Sequence, residues 1–176
     1  MTDTMWITGQ KVSLRLMTRQ DTPLIVRWRN NPRVRDNFIY REPFTPQTHE
    51  NWIRTHVEKG DVVQLIICEN NPGRRPVGSV YYRDIDREAQ TAEYGIFIGE
   101  DDATGKGYGN ETAQLATDWA FAQLHLQKIF LRVFSDNVPA RRSYEHAGFH
   151  KIQDLPNVTC SDGTERDMIL MSMERG

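Results

Sequence analysis

The sequence has few cysteines and no long apolar run, and each shortage excludes a class of protein. Two cysteines in 176 residues are too few for a disulfide framework and too far apart for a metal-binding pair. Cys68 lies within an apolar run, so we expect a small buried thiol in a reducing compartment. No stretch of about 18 apolar residues occurs, so we predict no membrane-spanning helix.

The sequence also shows neither a basic net charge nor a recognisable targeting segment. The net charge of −2 provides no basic field for a nucleic-acid partner. The segment from Met1 to Trp6 lacks the basic and apolar parts of a secretory leader, so we expect a cytoplasmic protein. The five histidines form no ligand-spaced cluster, and we predict no bound metal. Small molecules remain as the predicted partners, and the sequence leaves the oligomeric state open, with a homodimer among the options.

The hydrophobic pattern predicts a single α+β domain over residues 1–176. Short connections in the middle of the chain indicate a three-strand antiparallel meander. The predicted architecture is a mixed, mostly antiparallel central sheet of about seven strands flanked by helices. The predicted strands are 12–16, 62–68, 76–83, 91–98, 128–134, 149–154 and 166–173; the predicted helices run from Asp21 through Trp28 and over 33–37, 46–59, 107–124 and 139–147.

A glycine-rich loop lies between a predicted strand and the long helix. Gly105, Gly107 and Gly109 alternate in the segment Thr104-Gly105-Lys106-Gly107-Tyr108-Gly109. A single glycine would satisfy a turn that needs a positive φ angle. Three alternating glycines remove side chains from successive backbone N–H groups at a helix N-terminus, which makes an anion site. The loop therefore predicts a phosphate-bearing ligand.

Two common phosphate motifs do not fit this loop. A Walker A loop needs glycine where the chain has Glu100 and Ser or Thr where it has Gly107. A dinucleotide fingerprint needs glycine where the chain has Asn110, and it belongs in a parallel βαβ unit. An ATP-binding protein is thus a weak alternative.

The loop resembles the coenzyme A loop of the GNAT acetyltransferases, Gln/Arg-x-x-Gly-x-Gly/Ala, although Thr104 stands at its first position. A second segment, residues 135–149, resembles the family's Asn…Ser-x-x-Tyr-Glu-x-x-Gly-Phe block, with small deviations in spacing. The resemblance extends in the same order from Val12 to Met173. It implies the GNAT fold, acetyl-coenzyme A as co-substrate, and direct transfer of acetyl to a primary amine without an acyl-enzyme.

The resemblance also implies catalytic roles for Tyr144 and Glu93. Tyr144 matches the tyrosine that protonates the departing thiolate, a role suited to a phenol with a pKa of about 10. Glu93 matches a glutamate that removes a proton from the attacking ammonium, directly or through water. Each residue has a plainer interpretation: Tyr144 as a core residue, and Glu93 as a solvated strand position.

Cofactor contacts follow from the same resemblance. The backbone of Ile96, Phe97 and Ile98 is expected to pair with the pantetheine amides like an added strand, beside a bulge at Gly95 or Gly99. Asn137 is expected to cap the following helix and reach the pantetheine. The predicted cofactor-binding residues are Ile96, Phe97, Ile98, Thr104, Gly105, Lys106, Gly107, Tyr108, Gly109, Asn137 and Arg142, with Arg141 as a further candidate for a phosphate.

The acceptor is predicted from the segment that begins at Trp28. Trp28, Arg29 and Asn30 open an arginine-rich stretch that resembles bacterial acetyltransferases of amino-sugar nucleotides and, more loosely, spermidine and ribosomal-protein N-terminal acetyltransferases. Opposite charges attract, so arginines favour an anionic nucleotide sugar over a polycation. We therefore predict a small amine acceptor, with an amino-sugar nucleotide ahead of a polyamine or a protein N-terminus. A non-catalytic coenzyme A-binding module is the alternative from another functional class.

Overall fold

The computed structural model describes residues 5–176. Residues 1–4, which are part of the segment that argues against a secretory leader, lie outside the described residues. Within the described part of the chain, no helix is long and apolar enough to cross a membrane, and no group of three or more His, Cys, Asp or Glu side chains is placed to hold a metal ion.

The described residues, 5–176, contain five α-helices and eight strands. The helices are α1 (Thr22–Asn30), α2 (Pro32–Arg35), α3 (Pro46–Trp52), α4 (Tyr108–Gln123) and α5 (Val138–Ala147). The strands are β1 (Ile7–Thr8), β2 (Val12–Leu16), β3 (Val63–Glu69), β4 (Pro76–Asp86), β5 (Thr91–Ile98), β6 (Lys128–Phe134), β7 (His150–Thr159) and β8 (Glu165–Glu174).

All strands join one sheet in the order β1-β2-β3-β4-β5-β6-β8-β7. Only β5 and β6 pair in parallel, and every other neighbouring pair is antiparallel. The predicted α+β class, the mixed sheet and the central meander are therefore confirmed. The one strand that was not predicted is β1. Its two residues are too few to produce an alternating pattern in the sequence.

The alternation of β3 explains how helices cover both faces of the sheet. Leu65 and Ile67 point into a core that includes α4, whereas Ile66 and Cys68 point into a second core beneath α1 and α2. Small residues on α4, Ala113, Ala116 and Ala120, allow that helix to lie close to the sheet. The predicted buried thiol of Cys68 is confirmed, and Cys160 is buried as well.

The predicted continuous helix over 46–59 has a more complex form. After α3, residues Ile53–Val57 form a π-helical turn, which ends before Gly60 at φ 86°. A π turn widens the helix and shifts the following side chains around its axis. His56, within this turn, lines the same cleft as His49 and Trp52 of α3.

The expected bulge at Gly95 or Gly99 is wrong. The pairing of β5 with β4 is continuous from Ile98 to Glu93, and the irregularity lies in β4 between Arg83 and Asp86. A Cβ atom at Gly95 would overlap the Tyr81 ring, and one at Gly99 would overlap Trp28. These glycines therefore allow close approach of aromatic rings rather than a bulge.

Candidate active site

A cleft of about 650 Å³ opens where β5 and β6 separate. Their parallel pairing ends at Glu93 and Phe130, so β5 has no neighbour on that side from Tyr94 onward. We name the part near the glycine-rich loop the loop end, lined by Ile96, Ile98, Gly109, Asn137, Ser143 and Tyr144. We name the part under the N-terminal helices the helical end, lined by Arg29, Phe38, Phe44, His49, Trp52 and Arg83.

The glycine-rich loop has the conformation that its composition predicts. Gly105 and Gly107 have φ angles of 72° and 82°, which favour glycine, and Gly107 is the N-cap of α4. A Cβ atom at Gly105 or Gly109 would have no heavy atom within 4 Å, so open space lies over both residues. Because the first turn of α4 leaves its N–H groups without helical acceptors, this space suits a phosphate.

Side chains from distant strands hold the start of α4 in place. The Tyr108 hydroxyl donates to Glu69 at 2.7 Å, and Glu69 also accepts from Arg75 at 2.9 Å. The Glu111 carboxylate accepts from the backbone N–H groups of Lys11 and Val12 at 2.8 and 2.9 Å. The side chain of Tyr108 is thus engaged with the protein, which leaves its backbone for the predicted cofactor contact.

The open side of β5 offers backbone groups to a ligand. Ile96, Phe97 and Ile98 all line the cleft, as predicted, although the Phe97 ring is buried. The carbonyl of Ile98 already accepts a hydrogen bond from Arg33 Nη2 at 2.8 Å. The unpaired edge of β5 therefore begins at Tyr94 and ends at Ile98, whose carbonyl is bonded to Arg33.

Tyr144 lies on α5 with its ring between other aromatic rings. It packs edge-on against Tyr94 and Phe149, with centroid distances of 6.2 and 6.0 Å. Among residues 5–176 its hydroxyl makes no hydrogen bond to the protein, while its side chain lines the cleft. Burial raises the pKa of Tyr144 well above its ordinary value, with a smaller contribution from Tyr81. The phenol therefore carries its proton at neutral pH.

Glu93 faces the cleft in an ion pair that the sequence did not predict. Its carboxylate accepts from Arg132 Nε at 2.8 Å and from Nη2 at 3.1 Å. Glu93 raises the pKa of Arg132, so the guanidinium stays charged. Arg132 alternates with the buried residues Ile129, Leu131 and Val133, so it lies on the opposite face of β6 together with Lys128 and Phe130. A charged residue on that face follows the ordinary alternation, and no signal in the sequence marked it as the partner of Glu93.

The remaining predicted cofactor residues occupy different positions. Asn137 lines the cleft and caps α5, as predicted, by accepting from the backbone of Ala140 at 3.4 Å. Thr104 uses its hydroxyl locally, on the carbonyl of Asp101. Lys106 and Arg142 are exposed beside the cleft rather than on its wall. The Ser143 hydroxyl bonds Asn110 and so joins α5 to α4 across the loop end.

The structure places only one of the three predicted acceptor residues on the cleft. Trp28 is a core residue, 1% exposed, and its indole donates to Glu100 at 2.6 Å. Asn30 exchanges two hydrogen bonds with the backbone of Phe44 and thereby fixes the loop that carries this phenylalanine. Of these three residues, Arg29 is the one that lines the helical end. Trp28 and Asn30 thus support the wall without forming its surface.

Several polar residues at the helical end were not predicted from the sequence. His49 is buried, its Nδ1 lies 2.7 Å from the Thr22 hydroxyl, and its Nε2 atom has no partner among the described residues. Burial lowers the pKa of His49 to about 4, so the imidazole is neutral at pH 7. Gln64, which bonds Trp52 at 3.2 Å and Ser79 at 2.9 Å, carries amide groups into the same region.

The charges on the cleft wall are unbalanced. Four of the lining residues are arginines, Arg29, Arg33, Arg83 and Arg132, and Glu93 is the single carboxylate among the lining residues of the described chain. Because the net charge of the whole protein is −2, this local excess of positive charge is a property of the site rather than of the composition.

Comparisons with known proteins agree with this arrangement. The family model for the acetyltransferase (GNAT) domain matches residues 11–150. An uncharacterized protein of Methanocaldococcus jannaschii is 30% identical over 142 residues, which are 80% of this chain but 28% of that protein, so the chain spans little more than a quarter of its relative. Spermidine N(1)-acetyltransferase of Escherichia coli K12 is 27% identical over 168 residues, 93% of this chain and 86% of the enzyme.

A solved structure gives the same result at the level of the fold. The crystal structure of spermidine N-acetyltransferase from Vibrio cholerae, in complex with CoA and spermine, superposes with a TM-score of 0.85 at 24% identity. The superposition covers 94% of this chain and 96% of that one. Together with the family model over most of the chain, it confirms the resemblance: the protein belongs to the GNAT acetyltransferase family, in which acetyl-coenzyme A is the co-substrate and an amine is the acceptor.

Proposed function

We propose that the protein transfers the acetyl group of acetyl-coenzyme A directly to the primary amine of a small molecule bound in the same cleft. The observation that carries this proposal is the continuity of the cleft. It joins an open strand edge and a glycine-rich helix start to an arginine-lined helical end, with Tyr144 and Glu93 on its wall. Both substrates can therefore meet in one ternary complex.

The loop end has the groups that coenzyme A needs. Backbone N–H groups from Gly105 to Gly109 would hold the pyrophosphate, because the open space over Gly105 and Gly109 leaves room for it. The backbone of Ile96 on the open side of β5 would bond a pantetheine amide in the manner of an added strand, whereas the backbone groups of Phe97 face β4. Lys106, Arg142 and Asn137 would add side-chain contacts from the rim.

Tyr144 is proposed as the general acid. The neutral amine attacks the thioester carbonyl carbon, a C–N bond forms, and the C–S bond breaks. The departing sulfur takes the phenolic proton of Tyr144, which the raised pKa has kept in place, and the proton that the nitrogen loses as it becomes an amide restores the phenol. Its hydroxyl has no protein acceptor among the described residues, so a bound thiolate can receive the proton without competition.

Glu93 is proposed as the general base, acting through a water molecule. The ion pair with Arg132 holds the carboxylate in a fixed orientation on the cleft wall. The same pair occupies both carboxylate oxygens, so an intervening water is a better fit than direct contact with the amine. The proton removed from the ammonium then leaves towards solvent.

For the acceptor we propose an amino-sugar nucleotide, because the cleft wall carries four arginines and one carboxylate and because Arg29 forms no ion pair within residues 5–176. The second candidate is a polyamine. It is supported by the similarity to spermidine N-acetyltransferases of Escherichia coli and Vibrio cholerae. The two candidates carry opposite charges, so a single panel of amines separates them.

The test is a thiol-release assay with acetyl-coenzyme A and a panel of amines. The panel contains amino-sugar nucleotides, glucosamine, spermidine, amino acids and N-terminal peptides. We expect release of coenzyme A with an amino sugar, and mass spectrometry should show an amide on its amine. If the protein binds coenzyme A yet acetylates none of these amines, it is a coenzyme A-binding module and the proposal is wrong.

A further inference from the structure

Arg29 is the cation at the helical end that has no anionic partner in the part of the chain that the structure describes. Its guanidinium lies 3.9 Å from the centroid of the Phe38 ring and 4.7 Å from that of Phe44. Its Nε atom is buried without a hydrogen-bond partner, and within residues 5–176 it forms no ion pair. Aromatic faces offset part of the cost of placing a cation there, but they accept none of its N–H groups.

The other cleft arginines each have a carboxylate beside them. Arg33 pairs with Asp101 at 2.7 Å, and Arg132 pairs with Glu93 at 2.8 Å. Arg83 has Asp84 at 3.3 Å from Nε, although that atom makes no hydrogen bond. Burial lowers the pKa of Arg29, and the neighbouring Arg83 cation acts in the same direction. Within residues 5–176, Arg29 is thus the cleft arginine whose charge has no carboxylate beside it.

We propose that Arg29 determines acceptor specificity by binding an oxyanion, a phosphate or a carboxylate, that the amine substrate carries at a distance from its amine. This inference rests on the proposed function only in assigning the helical end to the acceptor. An oxyanion would accept the unused N–H groups of Arg29 and receive a favourable field from Arg83. The same two cations repel a polyamine, so the site selects against the substrate of the spermidine-acetylating relatives.

The first experiment uses three amines that share one sugar ring. Glucosamine carries no anion, glucosamine 6-phosphate carries a phosphate, and muramic acid carries a carboxylate. We expect kcat/KM to be about tenfold or more higher for one of the anionic pair than for glucosamine, because hydrogen bonds to charged groups are the stronger class. The better of the two identifies which oxyanion the site takes. Equal kcat/KM for all three, or a higher value for spermidine, overturns the inference.

The second experiment assigns the effect to Arg29. Arg29→Gln should lower kcat/KM for the preferred anionic amine by about ten- to a hundredfold, mainly through KM, and leave glucosamine nearly unchanged. Arg29→Lys should recover part of the loss, since it keeps the charge but not the planar fork. Arg27→Gln is the control, because Arg27 is exposed on the same helix and pairs with Glu100 outside the cleft. An equal loss for glucosamine and the anionic amine in Arg29→Gln would overturn the assignment.

A binding measurement separates this inference from the proposed function. Glucose 6-phosphate and glucose have no amine and cannot be acetylated. Calorimetric titration of the protein saturated with coenzyme A should show binding of glucose 6-phosphate, no binding of glucose, and loss of the former in Arg29→Gln. Such a result with no acetylation of any amine would refute the proposed function and retain the anion site. Acetylation with no preference for either anionic amine and no difference between the two sugars would do the reverse.

Discussion

The loop end and the helical end of the cleft are built in different ways. The loop end is formed largely by backbone: the glycines at 105–109 and the unpaired edge of β5 after Glu93. The helical end is formed by side chains from α1, α3, β3, β4 and the loop that carries Phe38 and Phe44. Backbone sites of this kind depend on residues adjacent in sequence, whereas the helical end depends on residues that only folding brings together.

Under the proposed function the two ends have different tasks. The loop end would supply a cradle for the diphosphate of acetyl-coenzyme A and a strand edge for its pantetheine. The helical end carries Arg29, which forms no ion pair within residues 5–176 and lies beside two phenylalanines, and a buried, neutral His49. Substrate choice is therefore expected to change by substitution at the helical end without disturbing the loop end.

The largest effect is expected from Gly109→Leu, which should impair the loop end and leave the helical end unchanged. A side chain there enters the open space over the first turn of α4 without backbone strain. We expect the Kd for coenzyme A to rise by about a hundredfold, because the side chain would occupy the space of the pyrophosphate and block its bonds to backbone N–H groups. Stability should be unchanged or slightly higher, because glycine is a poor helix former.

Titration calorimetry with coenzyme A measures the Kd, and thermal melting measures the stability. Gly109→Ala is the intermediate control, because it removes the glycine but adds only a methyl group. Native coenzyme A binding in Gly109→Leu would show that the pyrophosphate lies elsewhere.

The next largest effect is expected from Tyr144→Phe. Loss of a general acid typically lowers the rate by about a hundredfold or more, so kcat should fall by that factor. The Kd for coenzyme A should not change, because the ring packing against Tyr94 and Phe149 is kept. Since burial raises the pKa of Tyr144, the phenol keeps its proton as the pH rises past 10. The kcat of the native enzyme should therefore show no alkaline loss from this group up to about pH 10.

Stopped-flow thiol release over this pH range gives the profile. An unchanged kcat in Tyr144→Phe would show that this residue only packs against its neighbours and is not the general acid.

A smaller effect, about tenfold, is expected from Glu93→Gln. The loss should be greatest at low pH, where more of the acceptor is an ammonium ion that must lose a proton. Arg132→Gln is the matched variant, because it breaks the same ion pair and keeps the carboxylate. If Glu93 acts on the amine, Arg132→Gln should lose less activity than Glu93→Gln. Equal losses with parallel pH profiles would mean that the pair has a structural role only.

No loss of turnover is expected from the double variant Cys68→Ala and Cys160→Ala. Burial raises the pKa of the Cys68 thiol, and both thiols are buried outside the cleft. Direct transfer requires neither as a nucleophile. Abolished turnover in a variant that still melts cooperatively and binds coenzyme A would establish an acyl-enzyme step.

Particular residues show why the sequence was informative about some features and not others. The strands at 91–98 and 128–134 were predicted with the bounds that the structure has, because alternation and turn residues are local signals. Gly95 and Gly99 were recognised but misinterpreted, since the rings that require glycine there belong to Tyr81 and Trp28, far away in the chain. Arg132 was missed as the partner of Glu93 because that pairing depends on the parallel register of β5 and β6.

The amino-acid sequence by itself determined the domain class, the order of its strands and helices, the glycine-rich helix start and the tyrosine block. These depend on neighbours within a few residues, where side-chain size and backbone freedom decide the conformation. The tertiary structure alone decided which arginines have a carboxylate partner, and within residues 5–176 Arg29 lies beside two aromatic rings without one. The physical reason is that charge balance in a cleft is a sum over residues that are distant in sequence and close in space.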